Sequence, residues 1–239
     1  MEKQKGRIEI IDALRGISVV LMVIHHMLYN LAAFLGAPWW LFSNPVFNVL
    51  QLFFAGLFIA LSGVSSRFSR GNVERGAKAL LLAVVITYVT VRIGMPIWFG
   101  VLHLLGFSML FFGLTSKFWD LLPRKVAPIA YLALIVSSSL ARSHLSPISD
   151  SDWIRDILSV LGFRQEGFTS YDYFPLLPWL FVFLLGTWTG LYIRERKLPS
   201  WFYSASVPVF PKIGRRALLV YMLHQPVLYG IVMAIASLR

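Results

Sequence analysis

Residues 17–35, ISVVLMVIHHMLYNLAAFL, decide the class of fold. This run of 19 residues contains no Asp, Glu, Lys or Arg. A stretch of about 17 to 25 mostly apolar residues is long enough to cross the hydrocarbon core of a bilayer as an α-helix. A cleaved signal peptide is the alternative, but Glu9 and Asp12 interrupt the basic flank and more apolar runs follow. We therefore predict a retained membrane-spanning helix.

The composition extends this prediction to the whole chain. Of its 239 residues, 57% are hydrophobic and only 14% are charged, and the mean hydropathy is +0.70. Soluble domains carry about 25% charged residues. The chain has no cysteine, which excludes disulfides and thiolate metal sites, and we expect no metal. The sequence predicts an all-α integral membrane protein that forms a single domain over residues 1–239.

Further apolar runs bring the predicted bundle to about seven transmembrane helices. They cover residues 46–64, 79–93, 99–114, 126–140, 176–193 and 217–238. With a cytoplasmic N-terminus and an outer C-terminus, 17 of the 22 Lys and Arg residues fall on the cytoplasmic side, as the positive-inside rule requires. The net charge of +11 is thereby assigned to membrane orientation, and we expect no nucleic-acid partner. In the outer loop 142–175, a short surface helix is predicted to start at Ser151 or Asp152 and run through Leu161.

Three histidines lie at a similar depth in the predicted spans. His25 and His26 are eight or nine residues into the first span, and His224 is a similar distance into the last, close to mid-membrane at about 1.5 Å per residue. Ionisable groups at this depth usually face the bundle interior and mark functional sites. Adjacent helical positions are about 100° apart, so His25 and His26 point in different directions.

We favour His26 as the functional member, with His25 left open. Asn30 is four residues after His26 and therefore lies on the same helix face. Its amide oxygen is predicted to accept the ring N–H of His26, which would leave the other nitrogen as a base. In "YMLHQPVL", residues 221–228, Pro226 is predicted to bend the last span beside His224 and Gln225.

Polar residues near both membrane surfaces are further candidates. On the outer side, Asp172 between Tyr171 and Tyr173 suits a sugar ligand, with an aromatic interface belt as the alternative. His103 has either a substrate role or a helix-packing role. On the inner side, one short loop is predicted to hold a polyphosphate, although membrane orientation explains the same residues; these are Ser65, Ser66, Arg67, Arg70, Arg75 and Lys78. Asp12 is predicted as an N-cap that pairs with Arg15.

In combination these segments resemble the membrane acyltransferase family of heparan-α-glucosaminide N-acetyltransferase and its small prokaryotic relatives. The resemblance is carried by RIEIIDALRGISVVLMVIHHMLYNL (7–31), FIALSGVSSRFSRGN (58–72), FGVLHLLGFSML (99–110), DYFPLLPW (172–179) and GRRALLVYMLHQPVL (214–228). Asn30 departs from the family pattern, since aspartate is common there in small prokaryotic relatives.

The resemblance implies an enzyme of a prokaryotic cytoplasmic (inner) membrane that passes an acetyl group from cytoplasmic acetyl-CoA to a sugar amine or hydroxyl on the outer side. It implies a catalytic histidine in the first span, which is His26 or His25. From the chemistry of acyl transfer, we expect Asn30, His224 or Gln225 to stabilise charge on the carbonyl oxygen. The acyl donor would be held by Arg15, Ser66, Arg67, Arg70, Arg75 and Lys78. The acceptor, a glucosamine-like sugar or an envelope glycan, would be held by His103, Asp172, Tyr173 and Gln225. Membrane lipids are expected partners, and a homodimer is left open.

Two other classes fit the same buried polar residues. A transporter or flippase for a sugar or lipid-linked molecule would use the histidines as a proton relay, and acetyl-CoA binding would discriminate against it. A haem protein would use His25 or His26 together with His224 as axial ligands.

Overall fold

The computed structural model describes residues 7–145 and 151–238. Its helices are α1 (Glu9–Leu35), α2 (Pro45–Ser66), α3 (Asn72–Arg92), α4 (Val101–Trp119), α5 (Ala127–His144), α6 (Asp152–Leu161), α7 (Leu176–Arg194), α8 (Ser200–Ser204), α9 (Phe210–Arg215) and α10 (Ala217–Ala236). A single 3-10 turn, Trp39–Leu41, precedes α2. Each of the seven predicted apolar runs is helical over most of its length, which confirms the all-α prediction. The predicted short helix after Ser151 is also present, as α6.

Within residues 7–145 and 151–238, five helical segments are long and apolar enough to cross a membrane. They are Glu9–Leu35, Trp39–Ser66, Val101–Trp119, Leu176–Arg194 and Ala217–Ala236. The other two predicted spans correspond to α3 and α5, which lie outside this group; α3 has Glu74, Arg75 and Lys78 in its first two turns. The total of seven spans and the orientation of the termini therefore stay predictions.

Contacts within the chain divide it into two compact units. The first unit comprises the residues up to Leu61 and those from Leu198 onward, and the second comprises Ser62–Lys197. The first unit therefore contains α1, α8, α9, α10 and most of α2. The second contains α3 to α7 and the end of α2.

In the first unit, α1 packs against α9 and α10. The approach of α9 to α1 is so close that a Cβ atom on Gly214 would overlap the carbonyl oxygen of Asp12. Small residues permit such backbone contact between membrane helices. In the second unit α3 packs against α4 in the same way, since a Cβ atom on Gly76 would lie 2.6 Å from the backbone nitrogen of Leu110.

The start of α1 differs from the prediction. Helix α1 begins at Glu9 with Ile8 at its N-cap position, so the prediction of Asp12 as the N-cap is wrong. Asp12 instead lies in the first turn, is 4% exposed, and forms ion pairs with Arg7 at 2.5 Å and Arg15 at 3.3 Å. The predicted Asp12–Arg15 pair is thereby confirmed. A buried carboxylate with two cationic partners holds this end of α1.

Candidate functional site

The first unit contains a direct contact between two of the predicted histidines. His26 on α1 and His224 on α10 meet with 3.2 Å between His26 Nδ1 and His224 Nε2. The other ring nitrogen of His224, Nδ1, lies 2.6 Å from the carbonyl oxygen of Tyr221, one turn earlier in α10. His26 and His224 are 198 positions apart in the sequence, and one series of hydrogen bonds joins them to the Tyr221 carbonyl.

The partners fix the proton positions in this series of hydrogen bonds. A carbonyl oxygen only accepts, so His224 Nδ1–H must donate to Tyr221. In a neutral imidazole the other nitrogen is then an acceptor, so His224 Nε2 accepts the Nδ1–H of His26. His26 Nε2 is left with its lone pair. The arrangement therefore presents His26 as an oriented base, with His224 fixing its tautomer.

A second polar pair lies one helical turn further along α1. Asn30 is 1% exposed, and its Nδ2 donates to Gln225 Oε1 at 3.2 Å. The predicted hydrogen bond from His26 to Asn30 is thus replaced by two parallel pairs, His26 with His224 and Asn30 with Gln225. The reason is that α10 supplies a partner for each residue, because His224 and Gln225 are consecutive and face α1. Helix α10 runs through Pro226 without a break, and the predicted bend there stays a prediction.

His25 has different surroundings from His26. Its ring centroid lies 4.6 Å from that of Phe42, and Phe42 also packs against Tyr29 at 5.2 Å. The Nε2 atom of His25 is buried and has no hydrogen-bond partner within residues 7–145 and 151–238. His25 therefore packs against an aromatic cluster, whereas His26 forms the hydrogen bond with His224. The predicted catalytic alternative at His25 stays a prediction.

His103 and Asp172 lie together in the second unit, at the N-terminus of α4. His103 Nδ1 accepts the backbone N–H of Gly100 at 3.2 Å, and Asp172 Oδ2 accepts that of Val101 at 3.0 Å. The opposite ring nitrogen of His103 lies 3.1 Å from the Thr87 hydroxyl. Both residues therefore cap α4, because the first N–H groups of a helix have no partner within it. Their predicted roles toward an acceptor stay predictions.

Tyr173 holds the outer loop to α6. Its hydroxyl donates to the carbonyl oxygen of Ser159 at 2.7 Å, and the guanidinium of Arg164 lies over its ring, 4.9 Å from the centroid. Burial raises the pKa of the Tyr173 hydroxyl, so this group remains protonated and donates at neutral pH. A nearby cavity of about 460 Å³ is lined by Trp98, His103 and residues of α3.

The predicted phosphate-binding residues do not share one short loop. Ser66 ends α2 and bonds to the Ser62 carbonyl at 3.0 Å. Arg75 and Lys78 lie on α3, where Lys78 pairs with Glu74 at 2.5 Å. The prediction of a single loop is wrong because α3 begins already at Asn72. Binding of a donor by these residues stays a prediction.

Sequence reasoning did not group Arg67 with its partners in the second unit. Arg67 forms an ion pair with Asp120 at 2.6 Å, beside Arg124 and Arg194. The only feature of the sequence that these three arginines share is a position at the end or start of an apolar run. Arg124 and Arg194 are among the 17 basic residues assigned above to membrane orientation, and Asp120 belongs to no sequence motif.

These features together define an all-helical membrane protein with a hydrogen-bonded histidine pair inside its apolar helices. Residues 7–226 match the family model of the catalytic region of heparan-alpha-glucosaminide N-acetyltransferase. The chain belongs to this family, which confirms the predicted resemblance and implies acetyltransferase activity in general terms. Comparison with curated proteins and with solved structures finds no match.

Family membership does not favour the transporter alternative. The haem alternative is weakened by geometry, since His26 and His224 bond to each other directly rather than facing a common iron.

Proposed function

We propose that this protein transfers an acetyl group from cytoplasmic acetyl-CoA to the amine or hydroxyl of a sugar on the outer side of the membrane, with His26 as the reacting group. The single observation that carries the proposal is the chain from the Tyr221 carbonyl through His224 to His26. A base held in one tautomer by a second group follows the general logic of an activated base or nucleophile.

Two routes use the same atom, His26 Nε2. In direct transfer, Nε2 removes the proton of the acceptor as the acceptor attacks the thioester carbonyl; the C–S bond then breaks and the proton passes to the departing thiolate. In the two-step route, Nε2 itself attacks the thioester and coenzyme A leaves. The acceptor then attacks the acyl-imidazole, the C–N bond to Nε2 breaks, and the acceptor proton passes to the freed Nε2, which gives it up to the coenzyme A thiolate. The acceptor carries the acetyl group at the end of both routes.

The amide pair beside the histidines supports either route. Asn30 donates to the Gln225 oxygen, which leaves the amino group of Gln225 able to donate to the carbonyl oxygen as negative charge develops there. A fixed donor of this kind contributes about 3 to 4 kcal/mol to transition-state stabilisation in enzymes where it has been removed. In this proposal Gln225 stabilises the oxyanion and Asn30 positions Gln225.

The donor and the acceptor have separate proposed contacts. Five basic residues and one serine near the predicted cytoplasmic ends of the helices hold the phosphates of coenzyme A; they are Arg15, Ser66, Arg67, Arg70, Arg75 and Lys78. Arg15 is already paired with Asp12, so in this proposal Arg15 contributes only long-range electrostatic attraction of the coenzyme A phosphates. On the outer side, His103 and Asp172 hold the start of α4, and with Tyr173 they shape the proposed acceptor site.

The test measures acetyl transfer from radiolabelled acetyl-CoA to glucosamine by purified protein in detergent. His25→Ala is a matched control for His26→Ala, because it removes the neighbouring imidazole from the same helix at the same depth. We expect transfer to be lost in His26→Ala and largely retained in His25→Ala, while both variants still bind acetyl-CoA. Wild type that neither binds acetyl-CoA nor transfers acetyl would refute the proposal, and a loss confined to His25→Ala would reassign the reacting histidine.

Omitting the acceptor separates the two routes. Mass spectrometry of the intact protein after incubation with acetyl-CoA alone should show one added acetyl group at His26 in the two-step route. Direct transfer leaves the protein mass unchanged.

A further inference from the structure

A second cavity, of about 230 Å³, lies within the second unit at the predicted cytoplasmic ends of α2, α4, α5 and α7. It is lined by Arg67, Trp119, Asp120, Leu122, Arg124, Ala127, Tyr131, Trp188, Leu191 and Arg194. Three of these residues are arginines and three are aromatic, whereas one is acidic. The lining therefore carries a net charge of about +2, which suits an anion.

Arg67 is a fixed part of the wall. Its side chain is 7% exposed and donates through Nε to the Thr187 carbonyl at 3.0 Å, while its guanidinium lies over the Phe112 ring, 4.7 Å from the centroid. Its partner Asp120 has a side chain that is 46% exposed. Arg67 is therefore held rigidly inside, and Asp120 closes one side of the cavity.

The other two arginines differ in their pairing. Arg124 pairs with Glu195 at 2.6 Å, and Glu195 also pairs with Lys197 at 2.7 Å. Arg194 is exposed and forms no ion pair or side-chain hydrogen bond within the described residues. An unpaired guanidinium at the mouth of a cavity has all of its N–H donors available for a bidentate ligand.

The two tryptophans of the lining have their indole N–H groups already bonded. The indole N–H of Trp188 donates to the Arg124 carbonyl at 3.0 Å, and that of Trp119 donates to the Thr115 hydroxyl at 3.0 Å. Tyr131 packs against Trp119 with 6.0 Å between ring centroids. These rings therefore present apolar surface to the cavity, next to the cationic groups.

We propose that this cavity binds the phosphate of an organic phosphate, with Arg194 as the main anchor and Trp119 and Trp188 against the organic part. Arginine is the side chain best suited to phosphate, since its planar fork matches two oxygens. A nucleotide and an anionic lipid headgroup share this chemistry. The site itself does not depend on acyl transfer, and only a nucleotide as occupant would rest on the proposed function.

The test compares wild type with Arg194→Gln in two binding measurements. Adenosine 3′,5′-bisphosphate is titrated calorimetrically into protein in phosphatidylcholine nanodiscs. Separately, native mass spectrometry counts phosphatidylglycerol retained from mixed micelles with phosphatidylcholine. Arg216→Gln is the matched control, because Arg216, the C-cap residue of α9, is an exposed arginine that does not line the cavity.

We expect one probe to bind wild type and to bind Arg194→Gln about tenfold or more weakly, since a charge-assisted hydrogen bond contributes about 1.5 to 3 kcal/mol. Arg216→Gln should stay within about twofold of wild type. Nucleotide binding with this pattern identifies the nucleotide as occupant, and lipid retention with this pattern identifies the headgroup. If neither probe binds, or if Arg216→Gln weakens binding as much as Arg194→Gln, the proposal is overturned. Nucleotide binding through Arg194 in a wild type that neither binds acetyl-CoA nor transfers acetyl would keep this site and refute the proposed function.

Discussion

Replacing His224 tests whether it orients His26 or takes part in the chemistry itself. His224→Phe keeps a ring of similar size but removes the acceptor of the 3.2 Å hydrogen bond from His26 Nδ1. His26 then loses the contact that fixes its tautomer, although its own lone pair remains. His224→Gln is the conservative counterpart, because its side-chain oxygen can accept the same N–H.

The expected size of the effect follows from the bond that is lost. A neutral hydrogen bond contributes about 0.5 to 1.5 kcal/mol, and about 1.36 kcal/mol corresponds to a factor of ten in rate. We therefore expect kcat of His224→Phe to fall about 2- to 13-fold with the KM for acetyl-CoA unchanged. His224→Gln should recover most of this loss.

Single-turnover transfer from radiolabelled acetyl-CoA measures the effect, with thermal unfolding in detergent as the folding control. His25→Phe is the comparison at the same depth and should leave kcat near that of wild type. A loss greater than about 100-fold would mean that His224 itself transfers protons, because general acid–base groups contribute about 10² to 10⁴. An unchanged kcat would also refute the positioning role, since the hydrogen bond would then have no bearing on the reaction.

Two further predictions concern packing and charge. Gly214→Ala should lower the thermal midpoint in detergent, because its Cβ overlaps a carbonyl of α1 and overpacking costs about 1 to 3 kcal/mol. Gly230→Ala, with nothing within 4 Å, should leave the midpoint unchanged or raised, and an equal loss in both variants would contradict the close contact. Hydrogen bonds from Arg124, and to a smaller extent from Lys197, lower the pKa of Glu195 from 4.5 to about 2. The stabilising effect of the Glu195 charge is therefore present above pH 4.5 and is lost only as the pH falls toward 2. Glu195→Gln should therefore lower the midpoint similarly at about pH 6 and about pH 3.5, and a difference that disappears at the lower pH would show that this pKa is not depressed.

Sequence patterns located the helices well because lipid leaves the backbone few alternatives. Without water, each N–H and C=O in an apolar segment must bond within its own helix. The run 17–35 therefore predicted most of α1, Glu9–Leu35, and the run 176–193 predicted almost all of α7, Leu176–Arg194. The start of α1 was missed, because ion pairs with Arg7 and Arg15 place Asp12 inside the first turn.

The functional residues were predicted less completely than the helices. Rise per residue alone indicated that His26 and His224 share one depth, and the structure joins them directly. The partner of Asn30 was wrong, since spacing along one helix shows only its own neighbours, whereas the Gln225 oxygen that Asn30 reaches is 195 positions away. Likewise, no local pattern connects Arg67 with Asp120, 53 positions apart.

The sequence by itself determined that this chain is helical, that its helices suit a membrane, and which polar side chains lie near the middle of the apolar segments. These properties depend on runs of neighbouring residues and on a fixed rise along one helix. Only the tertiary structure decided that His26 bonds to His224 while His25 packs against Phe42. Two adjacent residues point about 100° apart, and the rotation of α1 that chooses between them depends on how closely α9 and α10 pack against it.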